Sequence, residues 1–503
     1  MKICVIGAGS SGLAAIKACK EENLDVICYE KSENFGGLWR YHDKDDDGQP
    51  SVMKSTIINT SKELSAFSDF PPPKDLANYM HNTWMLEYFS LYAEHFDLLK
   101  HIKYTSEVIK VEKAENYAQS GKWAVSVKST GEQDSETNIF DGVMVCAGHH
   151  IYPHVPNFNG LEEFKGKVRH THSLKSSNGY ENLKALVIGI GNSAVDAAVE
   201  LCKVTNQLYL SSRKGSWIFS RIGPNGMPYD VFLQKRVFEI LRHYNFFNFA
   251  NFALEYLLNF KFDHAKYGLK PKHRVLSAHP TINDALPNCI LSGRVVIKQN
   301  VKKFTKQGVI FEGEDEEHNI DAVIMATGYE IKFPFVDETI FKVSENSVEL
   351  YKFVFPPQLQ HPSLAFIALV QPLGAMFPIA EAQSRWFVQL MLKKIKLPSK
   401  HDMEIEISKR HRQNRDKFVP SLRHTIQVFW ISYMDEICSE FGAKPNLWKM
   451  ALKDPKLAYL CYFGPCTPYQ YRLQGPHTWE GAREAIFSAW ERIEAPLKTC
   501  KRA

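Results

Sequence analysis

Two glycine-rich turns carry the residues best suited to chemistry. The first reads Gly7-Ala8-Gly9-Ser10-Ser11-Gly12 and the second Gly189-Ile190-Gly191-Asn192-Ser193-Ala194. In such turns the first glycine permits a tight bend and the second lets backbone N–H groups approach a pyrophosphate. The third small residue lets a helix pack closely on a strand. Glu30 stands 23 residues after Gly7, where a carboxylate grips ribose hydroxyls and would repel a 2′-phosphate. The corresponding place after the second turn holds Ser212-Arg213-Lys214, with Arg213 24 residues after Gly189. Guanidinium, ammonium and hydroxyl can hold a 2′-phosphate. A Gly-Gly pair in Phe35-Gly36-Gly37-Leu38-Trp39 lets backbone lie against a second flat portion of the first ligand. The pattern predicts FAD at the first turn and NADPH at the second, so that hydride passes from one to the other.

The elements around both turns fit that reading. Lys2 to Ile6 and Ala185 to Ile188 are apolar strands entering the turns, and helical patterns follow through Leu13 to Cys19 and Val195 to Leu201. Second strands, Asp25 to Tyr29 and Gln207 to Ser211, lead to the 2′-reading residues. Val143 to Gly148 and Ala322 to Tyr329 are apolar strands ending in small residues, including Thr327 and Gly328, where chain can cross close to a cofactor. The expected fold is α/β, with two Rossmann-like dinucleotide-binding domains and a helical insertion. Residues 1–150 and 330–503 are assigned to FAD, 151–215 and 297–329 to NADPH. The insertion, 216–296, is rich in Phe, Leu and Tyr between Val231 and Phe262. It suits either a cover over a substrate tunnel or an amphipathic surface lying on a membrane.

Composition bounds the partners. Sixty-one basic against 56 acidic residues give a net charge of +5 with no Lys/Arg tract, which argues against nucleic acid. No apolar run reaches the roughly 18 residues a spanning helix needs, and the start passes at once into a Gly-rich turn rather than a leader. The end, Lys498 to Ala503, reads as free of an apolar anchor. Ten cysteines in 503 residues read as reduced thiols, and Cys461 and Cys466 as two packed thiols around a Gly-Pro turn. The expected location is the cytoplasm or the cytosolic face of the endoplasmic reticulum. The sequence leaves the oligomeric state open, a homodimer included.

A reduced flavin can reduce a disulfide, pass electrons on, or meet O2. Neither dinucleotide region carries a CxxC pair, and no iron–sulfur spacing or HExxH-type metal motif occurs, so no metal is expected and oxygen chemistry remains. Here the chain resembles the class B flavin-containing monooxygenases, the animal group that oxidises nitrogen and sulfur centres (dimethylaniline N-oxide-forming type). Phe164-Lys165-Gly166-Lys167-Val168-Arg169-His170 is similar to that family's identifying sequence, with Leu174 where an aromatic is usual and a second histidine at His172. Asn59-Thr60-Ser61-Lys62-Glu63, Phe67 to Pro71, Gly268 to His273, Ala326 to Tyr329, Gln371 to Ala375 and Gly464 to Pro468 extend the likeness along nearly the whole chain.

The resemblance implies a mechanism: NADPH reduces FAD, NADP+ stays bound, and O2 forms a C4a-hydroperoxyflavin. That species gives one oxygen atom to a soft nucleophilic small molecule. Asn59 is the expected catalytic side chain, a neutral amide able to stabilise an anionic oxygen. The expected cofactor contacts are Gly7, Gly9, Ser10, Ser11, Gly12, Glu30, Gly37, Leu38, Trp39, Asn59 and Thr60 for FAD. For NADPH they are Gly189, Gly191, Asn192, Ser193, Ser212, Arg213, Thr327 and Gly328. Asn192 is a candidate for contact with the nicotinamide, and His170 reads as a structural or linker histidine. Baeyer–Villiger oxygenation of carbonyls, an NADPH oxidase releasing H2O2, and a silent flavoprotein that only binds partners stay open as alternatives.

Overall fold

The computed structural model describes residues 1–44, 48–129, 131, 134–243 and 247–498. The extreme C-terminal residues, and residues 244–246 of the Val231–Phe262 stretch considered above, lie outside them. Ten strands build two parallel sheets. In chain order they are β1 (Lys2–Ile6), β2 (Asp25–Tyr29), β3 (Ile102–Lys103), β4 (Gly142–Val145), β5 (Lys167–His170), β6 (Lys184–Ile188), β7 (Gln207–Ser211), β8 (Val295–Lys298), β9 (Ala322–Met325) and β10 (Leu364–Phe366).

The first sheet has the order β10-β4-β1-β2-β3 and the second β8-β7-β6-β9-β5, each parallel throughout. Both faces of such sheets are covered, so the strands read as near-continuous apolar runs. Ile3, Cys4 and Val5 of β1 and Ala185, Leu186 and Val187 of β6 are fully buried. Chain order reverses beside β1, which has β2 on one flank and β4 on the other. It reverses again beside β6, between β7 and β9. A crevice opens at the carboxyl ends of the strands at each such point, and that is where open α/β sheets bind ligands.

The helices that matter here are α1 (Ser10–Glu21), α2 (Asn192–Leu201), α3 (Arg236–His243), α4 (Phe247–Lys261), α5 (Phe377–Met391), α6 (Lys400–Lys417) and α7 (Trp430–Glu440). The architecture is the expected α/β one, with α3 and α4 in the helical segment. One boundary differs: Val295 and Val296 sit in β8, paired to Leu208 and Tyr209. They therefore belong to the second sheet rather than to the 216–296 insertion, because an apolar Val-Val-Ile run is stabilised most by pairing inside a buried parallel sheet.

The chain returns to the first sheet through β10 and α5. Helix α5 packs on α1 and is buried from Phe377 to Leu390. Two of its buried polar side chains, Glu381 and Gln383, are engaged on both sides. Glu381 accepts from Ser68 N and Oγ at 2.7 Å each, and Gln383 bonds Ala368 N and the Tyr433 hydroxyl at 2.7 Å. Arg472, fully buried, reaches Glu21 at 2.8 Å, Asp69 at 3.0 Å and Glu381 at 2.7 Å. This network ties the C-terminal stretch to α5 and to the end of α1 remote from the first turn. Removing one partner of such a buried network costs about 3–5 kcal/mol, because it strands the charges left behind.

Candidate active site

The first cradle forms where β1 ends. Gly7 takes φ +96°, a left-handed conformation that glycine adopts without a Cβ penalty, and its N–H donates to Tyr29 O at 2.8 Å. A β-carbon on Gly12 would lie 1.9 Å from Gly7 O, so no larger residue fits between α1 and the turn. Helix α1 has no side-chain cap. Its first N–H groups, at Ser10 and Ser11, are therefore open to an anion, and the helix dipole favours one there.

Glu30 is fixed by Ala8 N at 2.7 Å on one oxygen and by Ser32 N and Oγ at 2.9 and 2.7 Å on the other. That places its carboxylate against the turn, with lone pairs remaining for ribose hydroxyls. Gly36 N donates to Ala8 O at 3.0 Å, and a β-carbon on Gly37 would stand 3.0 Å from the Gly9 Cα. The Gly36-Gly37 loop is thus laid directly on the first turn. Leu38 and Trp39 continue it in a short helical turn, with Trp39 packed edge-on against Phe377.

The second cradle repeats the plan. Gly189 has φ +128°, and a β-carbon there would meet Ala326 O at 2.4 Å. Helix α2 also lacks a side-chain cap, and Ala194 fills the third small position, fully buried. Arg213 and Lys214 are exposed beyond β7. Ser212 Oγ accepts from Gly215 N at 3.0 Å, which shapes the turn that carries them. Thr327 donates its hydroxyl to His154 O, and His154 N donates to Gly328 O at 2.9 Å, closing the crossing beside the turn.

Asn192 is engaged on both sides of its amide: Oδ1 accepts from Ile282 N at 2.7 Å and Nδ2 donates to Pro280 O at 3.4 Å. It acts on the 280–283 stretch in the structure as it stands. Asp196, one turn further along α2, accepts from Asn283 at 3.1 Å, and burial pushes its carboxyl up to about 6.

Asn59 meets the insertion at Arg221. Its Oδ1 accepts from Arg221 Nη2 at 2.6 Å, and because a guanidinium only donates, the amide NH2 is turned away from Arg221. Neighbouring groups fix this junction. Ser61 N donates to Asp230 at 2.6 Å, the Tyr79 hydroxyl donates to Arg221 O at 2.9 Å, and Arg221 N donates to Asp284 at 3.1 Å. Burial raises the Asp230 carboxyl to about 6. Thr60 does not join this set; its hydroxyl pairs with Ser65 Oγ at 2.6 Å across the helix Lys62–Ser65.

Arg221, Tyr79, Asp230 and Asp284 were not singled out by sequence, and no local pattern marks them. A cavity of about 70 Å3 opens beside Ser220 and Asp284, walled by Ile218, Phe219, Tyr229, Leu257 and Leu258. His170 is buried, with Nδ1 accepting from His172 N at 3.1 Å and its ring edge-on to Tyr329; burial lowers it to about 4, so it is neutral.

Cys4, Cys28 and Cys146 lie beneath the first turn as free, buried thiols. Burial pushes all three well above the ordinary thiol range. A thiol held protonated is neither a nucleophile nor a redox partner at neutral pH.

Comparison with known proteins gives the fold and the family. Human flavin-containing monooxygenase 5 (Homo sapiens) is 48% identical over 500 residues, covering 99% of this chain and 93% of that protein. The S-allyl-L-cysteine S-oxygenase of Allium sativum has the same fold, with a TM-score of 0.67 at 21% identity over 97% of this chain and 98% of its own. Cyclohexanone monooxygenase from Rhodococcus sp. Phi1, solved with NADP+, gives 0.62 at 17% identity over 87% and 96%. The model of the flavin-binding monooxygenase-like family matches residues 1–502, and the chain belongs to that family.

Proposed function

We propose that this enzyme uses FAD and NADPH to activate O2 and transfers one oxygen atom to soft nucleophiles, nitrogen or sulfur centres of small molecules. The observation that carries this reading is two nucleotide cradles of opposite ribose chemistry on one chain, with the uncharged amide of Asn59 held by Arg221 of the insertion at 2.6 Å and, among the described residues, only protonated thiols beneath the first turn. Bound flavin supplies the redox chemistry, taking hydride and activating O2. The chain's own groups do the rest. Glu30 holds the FAD ribose, the open N-termini of α1 and α2 receive the pyrophosphates, and Arg213 with Ser212 and Lys214 reads the 2′-phosphate.

Asn59 presents an NH2 that makes no hydrogen bond among the described residues, so it is available to a developing anionic oxygen without offering a labile proton. The substrate nucleophile attacks an electrophilic oxygen directly, so no substrate base is needed. Mixing NADPH-reduced enzyme with O2 and a thioether should give one sulfoxide per NADPH. H2O2 alone would reject the proposal, and a lactone from a cyclic ketone with no sulfoxide would replace it with Baeyer–Villiger chemistry.

Cofactor choice provides a second check. Arg213→Ala should raise the KM for NADPH by roughly 10- to 100-fold and leave that for NADH nearly unchanged, since a charge-assisted contact contributes about 1.5–3 kcal/mol. Equal effects on both would place the 2′-phosphate elsewhere.

We further infer peripheral contact of the insertion with a lipid surface. No helix among the described residues is long and apolar enough to cross a membrane. Helix α4 nonetheless turns Phe249, Phe252, Tyr256, Leu257 and Phe260 outward, Phe260 being 83% exposed, while Asn251 and Leu258 face inward. The helix Pro455–Phe463 packs on α3 and exposes Tyr459; the preceding helix, Leu447–Lys453, exposes Trp448 and Leu452. An aromatic face of this kind buries apolar area in the headgroup region. Phe252→Ser/Phe260→Ser should lose co-sedimentation with phosphatidylcholine–phosphatidylserine vesicles and keep turnover of a water-soluble thioether. Undiminished vesicle binding would count against the contact.

A further inference from the structure

The second glycine-rich turn is covered by a side chain from a distant part of the chain. Arg423 lies in the 418–426 stretch between α6 and the strand Gln427–Phe429, which pairs in parallel with Gln371–Leu373. The stretch reaches across to the segment that follows the insertion helices. Val419 N donates to Ser277 O at 2.8 Å, and His279 N donates to His424 Nε2 at 3.3 Å. His424 Nδ1 faces Val419 O at 2.9 Å, so this ring is the neutral tautomer with its proton on Nδ1.

Held in this way, the Arg423 guanidinium sits on Gly191. A β-carbon at Gly191 would stand 2.7 Å from Nη1 and 3.2 Å from Nη2. We propose that Arg423 binds the pyrophosphate of the nucleotide seated on the second turn, reaching it from the flavin side of the chain. The inference rests on the reading of that turn as the nicotinamide-nucleotide site.

Three features support it. Arg423 forms no ion pair with a carboxylate among the described residues, and its side chain is exposed over the turn, where a ligand can reach it. The charged and titratable groups felt around it are of one sign or neutral: Lys214 and His273 act on His424, while His279 and His424 are held below the usual imidazole range by burial and by Arg423 itself. The guanidinium also faces the positive end of α2, whose first N–H groups have no side-chain cap. A cation over a helix N-terminus is unfavourable alone, and an anion between them satisfies both. Arg213 at the end of β7 and Arg423 over Gly191 would then divide the work, one reading the 2′-phosphate and the other the bridging phosphates. The nucleotide would also link the two halves of the active site, which favours its retention after oxidation.

The test is a titration of oxidised, FAD-loaded enzyme with NADP+ and with NAD+, followed by flavin absorbance and by calorimetry. Arg423→Ala should weaken both nucleotides by a similar factor, on the order of 10- to 100-fold. Arg423→Lys should recover part of the loss. Arg213→Ala should weaken NADP+ alone. Arg423→Gln, which keeps stem length and polarity, should behave as the alanine variant and serves if that one sheds flavin. Unchanged affinity in a folded Arg423→Gln enzyme overturns the proposal, and so does a loss confined to NADP+, which would move Arg423 to the 2′-phosphate. Failure of the unsubstituted enzyme to bind either nucleotide overturns the reading of the site itself, and this inference with it.

Discussion

Asn59→Asp should cut thioether oxygenation by about 100-fold or more while NADPH consumption continues as H2O2 release. The two side chains are nearly isosteric, and the partner of Asn59 is a guanidinium, Arg221, 2.6 Å away. A carboxylate would be held there at least as well as the amide, since a charge-assisted pair is about twice as strong as a neutral one. A purely structural role for Asn59 therefore expects near-normal turnover in the aspartate variant. A role through the free NH2 expects the opposite, because the group facing the reacting oxygen changes from a donor to an acceptor. Separate measurement of NADPH oxidised, sulfoxide formed and H2O2 released decides the matter, and an unchanged product yield would remove Asn59 from the chemistry.

The nucleotide cradles were legible in sequence because the strand, turn and helix that frame each of them are local. Strand, turn, helix and second strand lie within 28 residues in each cradle, and the closest approach of the first turn, Gly12 to Gly7, falls inside that unit, whereas Gly7 and Gly189 also meet strand ends far along the chain, at Cys146 and Ala326. Short elements whose pairing is set from afar were not legible. β3 has two residues and β10 three, too few for a period, and both exist because a parallel neighbour is already in place. The Asn59–Arg221 bond joins residues 162 apart, and no spacing rule reports such a meeting.

The aromatic pattern of α4 marks a third limit. Phe249, Phe252, Tyr256 and Phe260 recur at helical spacing, as a buried stripe would, yet they point outward. Periodicity shows that a face prefers to be covered, and only the packing of the neighbouring elements shows whether the protein itself covers it.

Alanine at Gly12 and alanine at Gly9 should fail in different ways. At Gly12 the new methyl group would lie 1.9 Å from Gly7 O, a backbone atom inside a turn held by Gly7 N to Tyr29 O at 2.8 Å and by Leu13 N to Gly9 O at 3.0 Å. Nothing flexible can give way, so α1 must tilt off β1, at roughly 3 kcal/mol or more, the upper end of overpacking costs. Gly9 has φ −74° and ψ −170°, ordinary extended backbone, and a β-carbon there meets only the Gly37 Cα at 3.7 Å. The flavin-free protein should therefore tolerate Gly9→Ala within about 0.5 kcal/mol. The methyl would nevertheless occupy the space through which backbone approaches the pyrophosphate, so the variant should purify folded and colourless. Denaturant unfolding of the flavin-free proteins alongside FAD content separates the two effects: Gly12→Ala loses stability and flavin together, and Gly9→Ala loses flavin alone. A yellow, fully loaded Gly9→Ala enzyme would show that the pyrophosphate does not lie on this turn, and the assignment of the first cradle to FAD would fall with it.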